Sequence, residues 1–271
     1  MIVFPNMTNL IKILIFCVTL SYINEAYTKD FLKEAISNEN RKVENVKRDK
    51  YRNPYKTLNF FGISKEMKIL EITPGRGWYT EILSKYMKNS NNFYIAKYDP
   101  PQFAVEILTK IQDEFEKYFL NNEDRFGKVK YISINKDFNI LSEKNKFDMV
   151  LTFRNSHNWL KNKKAEKMYN SIFKIMKKGG VLGIVQHRAN ESSTFNYKAG
   201  YVKESFLIKL VEKQGFKLID KSEVNSNPKD LKNYEKGVWT LPPSLRLGEK
   251  DQSKYLKIGE SDRMTLKFIK P

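Results

Sequence analysis

Residues 68–83, KILEITPGRGWYTEIL, constrain the fold more than any other part of the chain. A short apolar run, Ile69, Leu70 and Ile72, encloses a carboxylate, Glu71, and turns through Thr73-Pro74-Gly75-Arg76-Gly77. Residues 78–87 then carry a helical pattern. Strand, glycine loop and helix in that order form the opening unit of a doubly wound α/β sheet. Gly75 and Gly77 allow positive φ and let a ligand approach the backbone, which a Cβ would block. The same residues also suit a plain strand-to-helix turn with no ligand, because glycine spacing alone is weak evidence.

The rest of the chain continues the alternation. Strands are predicted at 92–98, 129–134, 147–153, 181–185, 216–224 and 264–269, and helices at 102–120, 163–176 and 201–214. The run FDMVLTF at 147–153 is almost continuously apolar, as a parallel strand covered on both faces must be. Lys177-Lys178-Gly179-Gly180 reads as the C-cap of the helix before it, basic residues followed by glycine. Residues 28–53 have helical spacing and predict one or two helices ahead of the sheet, ended by Asn53-Pro54. The expected organisation is a segment 1–26, a helical extension 27–60, and one α/β domain 61–271. Its sheet is mostly parallel with helices on both faces. Residues 225–263 form an excursion where a hairpin would suffice, and loops of that length in a compact domain are usually functional. We read it as a substrate-side lid; Trp239 within it serves equally well as a packing anchor.

The ligand of the glycine loop is narrowed by what surrounds it. A dinucleotide fingerprint needs a third glycine where Thr80 stands, and a phosphate-binding P-loop needs Gly-Lys-Ser/Thr, which is absent. Glu71 would repel a pyrophosphate, yet could pair with the ammonium of an amino-acid-like ligand. Asp99 closes the second strand about 20 residues beyond the loop, where a ribose hydroxyl partner is expected. As the residue before Pro100-Pro101 it is also an ordinary turn residue. Ligands of open α/β sheets bind at the carboxyl ends of the strands. There the fourth strand runs into Arg154-Asn155-Ser156-His157-Asn158-Trp159 and the fifth into Gln186-His187-Arg188. The chain has 2 histidines, His157 and His187, and both fall at this edge. Histidine titrates near neutrality and suits proton transfer, although an incidental surface position is the plainer account. No H-E-x-x-H or comparable spacing supports a metal site, and none is expected.

A net charge of +18 and a pI near 9.6 invite a nucleic-acid or anionic-membrane role. The lysines are spread evenly among many Asn and Ile residues, as an AT-rich coding sequence would give, and no nucleic-acid-binding motif is present. Specific nucleic-acid binding is therefore not expected. With 41% hydrophobic and 13% aromatic residues the chain can bury a substantial core. The single cysteine, Cys17, excludes a disulfide framework or a Cys-based zinc site within one chain. Residues 1–26 resemble an export signal: Lys12, an apolar run at 13–23, and Asn24-Glu25-Ala26 at its end. The run is short of the roughly 20 residues of a spanning helix. A periplasmic location is expected, without stable membrane insertion if the signal is cleaved, or a cytoplasmic one if the start is mis-assigned. The sequence leaves the oligomeric state open.

The spacing Glu71-x-Thr73-x-Gly75-x-Gly77 resembles the E/D-x-G-x-G-x-G signature of class I S-adenosylmethionine (SAM) methyltransferases, with Thr73 in place of the first glycine. Together with RNSHNW at 154–159, HR at 187–188, GVWTLPP at 237–243 and GESDRMTLKF at 259–268, PGRGWYTE at 74–81 resembles a family of predicted bacterial methyltransferases. That family has the class I Rossmann-like fold, a signal-like N-terminus and no settled substrate; the resemblance covers about residues 40–271. It implies seven strands with the last inserted antiparallel beside the sixth. It further implies SAM as cofactor and methyl transfer to a small molecule or an envelope component. Glu71, Thr73, Gly75 and Gly77 would then surround the methionine end, with Asp99 on the ribose and Asp137 near the adenine. His157 becomes the candidate base, with Asn155, Arg154 and His187 orienting the acceptor. Two other readings stay open. A nucleotide-cofactor oxidoreductase is disfavoured by Glu71 and Thr80. A non-catalytic exported protein keeping the fold gains weight because SAM is made in the cytoplasm.

Overall fold

The computed structural model describes residues 30–99, 106–194 and 197–271. The expected export segment, 1–26, and residues 100–105 at the start of the expected second helix lie outside these. Among the described residues no helix is long and apolar enough to cross a membrane.

The described chain begins with four short helices: α1 (Phe31–Ile36), α2 (Val43–Val46), α3 (Asp49–Arg52) and α4 (Pro54–Phe61). Asp30 caps α1 by accepting from the Lys33 amide at 3.0 Å. Asn53 takes a left-handed φ of 40° between α3 and α4, and Pro54 opens α4, where its missing N–H leaves no bond unmade. Instead of one or two helices over 28–53 there are three short ones. Asn38, whose side chain accepts from the Asn40 amide at 3.1 Å, folds the intervening chain into a turn that competes with the helix.

Then follow β1 (Ile69–Ile72), α5 (Trp78–Tyr86), β2 (Phe93–Tyr98), α6 (Glu106–Leu120), α7 (Glu123–Phe126), β3 (Lys130–Ile134) and β4 (Phe147–Phe153). The second half contains α8 (Ser156–Lys161), α9 (Ala165–Ile175), β5 (Met176–His187), α10 (Glu204–Glu212), β6 (Lys217–Ser222), α11 (Gln252–Ile258) and β7 (Arg263–Ile269). The strands form one 7-stranded sheet in the order β3-β2-β1-β4-β5-β7-β6. Strands β1 to β5 pair in parallel, and β7 lies between β5 and β6, antiparallel to both. This is the expected Rossmann-like architecture.

Alternate residues of each central strand feed two apolar layers. Leu70, Ile72 and Val150 pack with α9 and α10 through Met168, Ile172, Leu207 and Leu210. Ile69, Met149 and Leu151 pack with α4 and α5 through Leu58, Phe61, Ile82 and Leu83. Burial on both sides accounts for the absence of polar alternation in the central strands.

Two local expectations are corrected. Residues 177–180 do not cap a helix; they belong to β5, because the chain end draws the glycine pair into the sheet. The Gly179 amide donates to the Lys270 carbonyl at 2.8 Å, and the Lys270 amide donates back to Gly180 at 3.0 Å. A register shift between Phe147 and Met149 absorbs the extra residues. Residues 156–161, expected to be loop, form α8, which turns His157 away from the sheet edge and into the protein.

Candidate functional site

The carboxyl ends of β1, β4 and β5 and the amino end of β7 meet at one edge of the sheet, because β7 runs against the others. His187, the last residue of β5, is in register with Arg263, the first of β7. A cavity of about 620 Å³ opens there, lined among others by Gly75, Arg154, His187, Ser261 and Arg263. Arg48 in the segment joining α2 and α3 forms one wall. The segment 238–244, with Trp239, Pro242 and Pro243, forms another. Trp78 fastens the N-terminal helices over the glycine loop: its indole donates to the Asn45 carbonyl at 2.8 Å, and the Arg52 guanidinium lies 4.7 Å above its ring.

The two loop glycines do different work. Gly75 has φ +63° and lines the cavity; a Cβ built there would meet nothing within 4 Å and would project into open space. Gly77 has φ +80° and N-caps α5, where a Cβ would meet Phe119 at 2.8 Å and Phe115 at 3.0 Å. Its smallness serves the packing of α6. Thr73, where the motif has its first glycine, also takes a left-handed φ of 45°. Its Oγ1 is buried with no hydrogen-bond partner. An orphaned hydroxyl and an open backbone face on one turn fit a ligand seated against the loop.

The other residues expected around a cofactor are placed less uniformly. Glu71 is 1% exposed, beneath the loop rather than in the cavity wall, and accepts from the Thr80 hydroxyl at 2.7 Å. Burial with so little compensation pushes its carboxyl up to about 8, so at neutral pH it carries mainly a proton and not the charge foreseen for an ammonium. Asp99 stands half-buried at the end of β2, its amide donating to the Ile134 carbonyl at 3.1 Å. Asp137 is exposed in a turn closed by the Asn135 side chain, which accepts the Asp137 amide at 3.0 Å. Neither aspartate lines the cavity.

Of the residues expected around an acceptor, Arg154 and His187 reach the cavity. His187 is buried, and its Nδ1 is 2.6 Å from the Ser261 hydroxyl. Burial, then the neighbouring His157 and the positive charges of Arg263, Arg154 and Arg52, hold it well below the ordinary histidine range, so it is neutral at pH 7. His157 is 6% exposed and lies outside the cavity wall, its ring 5.7 Å from His187 and 5.9 Å from Trp239. Gln186 Nε2 donates to the Gly200 carbonyl at 3.0 Å and faces His157 Nδ1 at 3.2 Å, which makes Nδ1 the acceptor. Burial pulls His157 down to about 4. Asn155 donates to the Ile72 carbonyl at 2.9 Å and to the Thr152 hydroxyl at 3.1 Å, tying the end of β4 to the start of the glycine loop.

The sequence reading missed the group that dominates the far wall. Glu260 is 2% exposed and accepts from Arg48 Nε at 2.5 Å, Arg52 Nε at 3.2 Å and Arg263 Nη2. These guanidiniums hold its carboxyl well below the usual range. Glu260 and Arg263 stand in the segment GESDRMTLKF, whose polar start ahead of a strand was a signal. Nothing in the sequence marks Arg48 or Arg52, which arrive from more than 200 residues away. Among the described residues no group of three or more His, Cys, Asp or Glu could hold a metal ion.

No family model and no curated protein matches the sequence. Solved structures do match the fold. A SAM-dependent methyltransferase from Aquifex aeolicus is similar at a TM-score of 0.56 and 15% identity, over 83% of this chain and 93% of that one. A putative sarcosine dimethylglycine methyltransferase from Galdieria sulphuraria is similar at 0.54 and 14%, over 86% and 89%. The [4+2]-cyclase SpnF is similar at 0.51 and 17%, over 81% of each chain. At these identities the likeness is one of architecture: the chain has the class I methyltransferase fold.

Proposed function

We propose that the chain is a SAM-dependent methyltransferase whose acceptor, a small molecule or an envelope component, enters the cavity beside the glycine loop. The observation that carries this reading is the loop itself. Gly75 presents an open, left-handed backbone to the cavity, and the adjacent Thr73 hydroxyl is buried without a partner. When bound, SAM supplies an electrophilic methyl group on a sulfonium; alignment is then the protein's main task.

Thr73 and Gly75 hold the amino-acid end, and Asp99 at the close of β2 accepts from ribose hydroxyls. Asn155 fixes the loop's starting point through the Ile72 carbonyl. Asp137 is kept as the adenine contact only by the resemblance. His187 replaces His157 as the group that takes a proton from the acceptor, because it lines the cavity and stays neutral. Ser261 orients its ring through Nδ1. His157 packs behind it, with Gln186, as a positioning residue. Trp239 and the segment 238–244 shut the far side of the cavity from water.

The test is calorimetric titration of S-adenosylhomocysteine into the full 271-residue chain. Binding on the order of micromolar, weakened at least tenfold by Asp99→Ala, supports the reading. No binding would leave a non-catalytic protein keeping the fold as the better account. SpnF, a cyclase of this architecture, shows that the fold alone does not decide the chemistry.

A further inference from the structure

The cavity contains more positive charge than its own residues neutralise. Arg48, Arg52, Arg154 and Arg263 surround a single carboxylate, Glu260. Both oxygens of Glu260 are already engaged by three of these guanidiniums. Arg48 Nη2, Arg52 Nη2 and Arg263 Nε remain buried with no partner. Arg154 turns its exposed surface to the cavity, and its guanidinium forms no hydrogen bond or ion pair among the described residues. Donors buried without acceptors are costly, and native proteins rarely leave several in one place.

The electrostatics agree. Burial, and then the charges of Arg263 and Arg48, draw Arg154 down to about 10. Arg52 is lowered by burial first and by Arg154 next. Like charges crowd one another, and the other carboxylates of the lining, Glu44 and Glu114, form no ion pair with these four arginines among the described residues. A planar guanidinium matches a carboxylate or phosphate through two parallel N–H donors. Beside these arginines the lining includes the uncharged His187, Ser261 and Trp239, which leave room for an organic body.

We infer that the cavity binds an oxyanion, a carboxylate or a phosphate, on Arg48, Arg154 and Arg263, and that this group belongs to the methyl acceptor. The second half of this statement rests on the proposed function; the first does not. It gives the acceptor a chemical class: an anionic molecule, with cationic amines disfavoured.

The probes are inorganic phosphate and malonate, titrated separately into the full chain by calorimetry, alone and with saturating S-adenosylhomocysteine. Arg154→Gln is the informative variant, since Arg154 has no ion pair whose loss would disturb the fold. Arg76→Gln is the control: Arg76 lies on the exposed rim, paired with Glu114 at 2.8 Å. The expected result is saturable binding of at least one probe, weakened tenfold or more by Arg154→Gln and less than twofold by Arg76→Gln. The probe that binds distinguishes phosphate from carboxylate. No saturable binding of either probe, or equal weakening by both variants, overturns the site. Competition between probe and S-adenosylhomocysteine assigns the arginines to the cofactor's own carboxylate and overturns the acceptor assignment. Anion binding without any S-adenosylhomocysteine binding upholds the site and overturns the methyltransferase reading.

Discussion

Two buried glutamates lie at the same edge of the sheet and are driven in opposite directions. Glu71, in the middle of β1, has one polar side-chain partner, the Thr80 hydroxyl, and burial pushes it up to about 8. Glu260, just ahead of β7, is equally hidden but sits among Arg48, Arg52 and Arg263, which hold it ionised far into acid. Burial is the same in the two places and the neighbours differ, so the neighbours set the charge. The fold thus divides its cavity edge into a neutral cradle of backbone at Thr73–Gly75 and a charged wall of side chains opposite. A sulfonium cofactor suits the first, because four guanidiniums would repel it from the second.

The contrast breaks most visibly if Glu71 proves to be charged. A carboxyl raised from 4.5 to about 8 makes the folded state bind the extra proton. Its contribution is therefore present below pH 4.5 and is lost as pH rises to about 8, a span worth roughly 5 kcal/mol at most. Glu71→Gln keeps the shape and removes the titration. Denaturant unfolding at several pH values should show the variant gaining on the wild type between pH 4.5 and 8. A flat difference curve would mean an ionised Glu71, and the cradle would no longer be neutral.

Glu260→Gln probes the other side. It leaves the buried guanidiniums of Arg52 and Arg263, and the half-buried one of Arg48, without their counter-charge, and the expected loss of stability is about 3–5 kcal/mol. Because the carboxyl is held low in the fold, the wild type's advantage is full above its ordinary pKa and shrinks as pH falls below it. Added phosphate or malonate should restore part of the variant's stability. A loss under about 1 kcal/mol would mean that the arginines are solvated and the wall is not a charged one.

The two regions also differ in how far the sequence reveals them. The cradle is contiguous: strand, turn and helix are spelled out within residues 68–83, while the place of the last strand came only from the resemblance to class I methyltransferases. Its chemistry was less legible, because whether Glu71 is charged depends on burial beneath α5. The wall is assembled from residues 48–52, 154, 187 and 260–263. Only the antiparallel insertion of β7 and the docking of Trp78 under the N-terminal helices bring them together. Arg154, His187 and the 237–243 segment were found from their place at strand ends and in the long loop. Arg48 and Arg52 could not be, since only packing across more than 200 residues of sequence brings them to Glu260. His157 was misplaced for a local reason: α8 begins at Ser156 and carries the imidazole inward.

The smallest effect separates the two glycines inside the cradle. Both have positive φ, so alanine at either position incurs about 1 kcal/mol of left-handed strain. At Gly77 the added methyl also meets Phe119 at 2.8 Å and Phe115 at 3.0 Å, and overpacking adds another 1–3 kcal/mol or so. At Gly75 it meets nothing within 4 Å, so strain is the whole cost to folding. Ligand binding should order them the other way. The Gly75→Ala methyl enters the space beside the open backbone and should weaken S-adenosylhomocysteine at least tenfold. Gly77→Ala should leave the folded fraction binding within about twofold, in keeping with a contact outside the site. Unfolding midpoints and calorimetric affinities measured on the same two variants decide it. If Gly77→Ala weakens the ligand more than Gly75→Ala, the loop contacts its ligand at the helix N-terminus rather than at Gly75. The division between a backbone cradle and a charged wall would then have to be redrawn around α5.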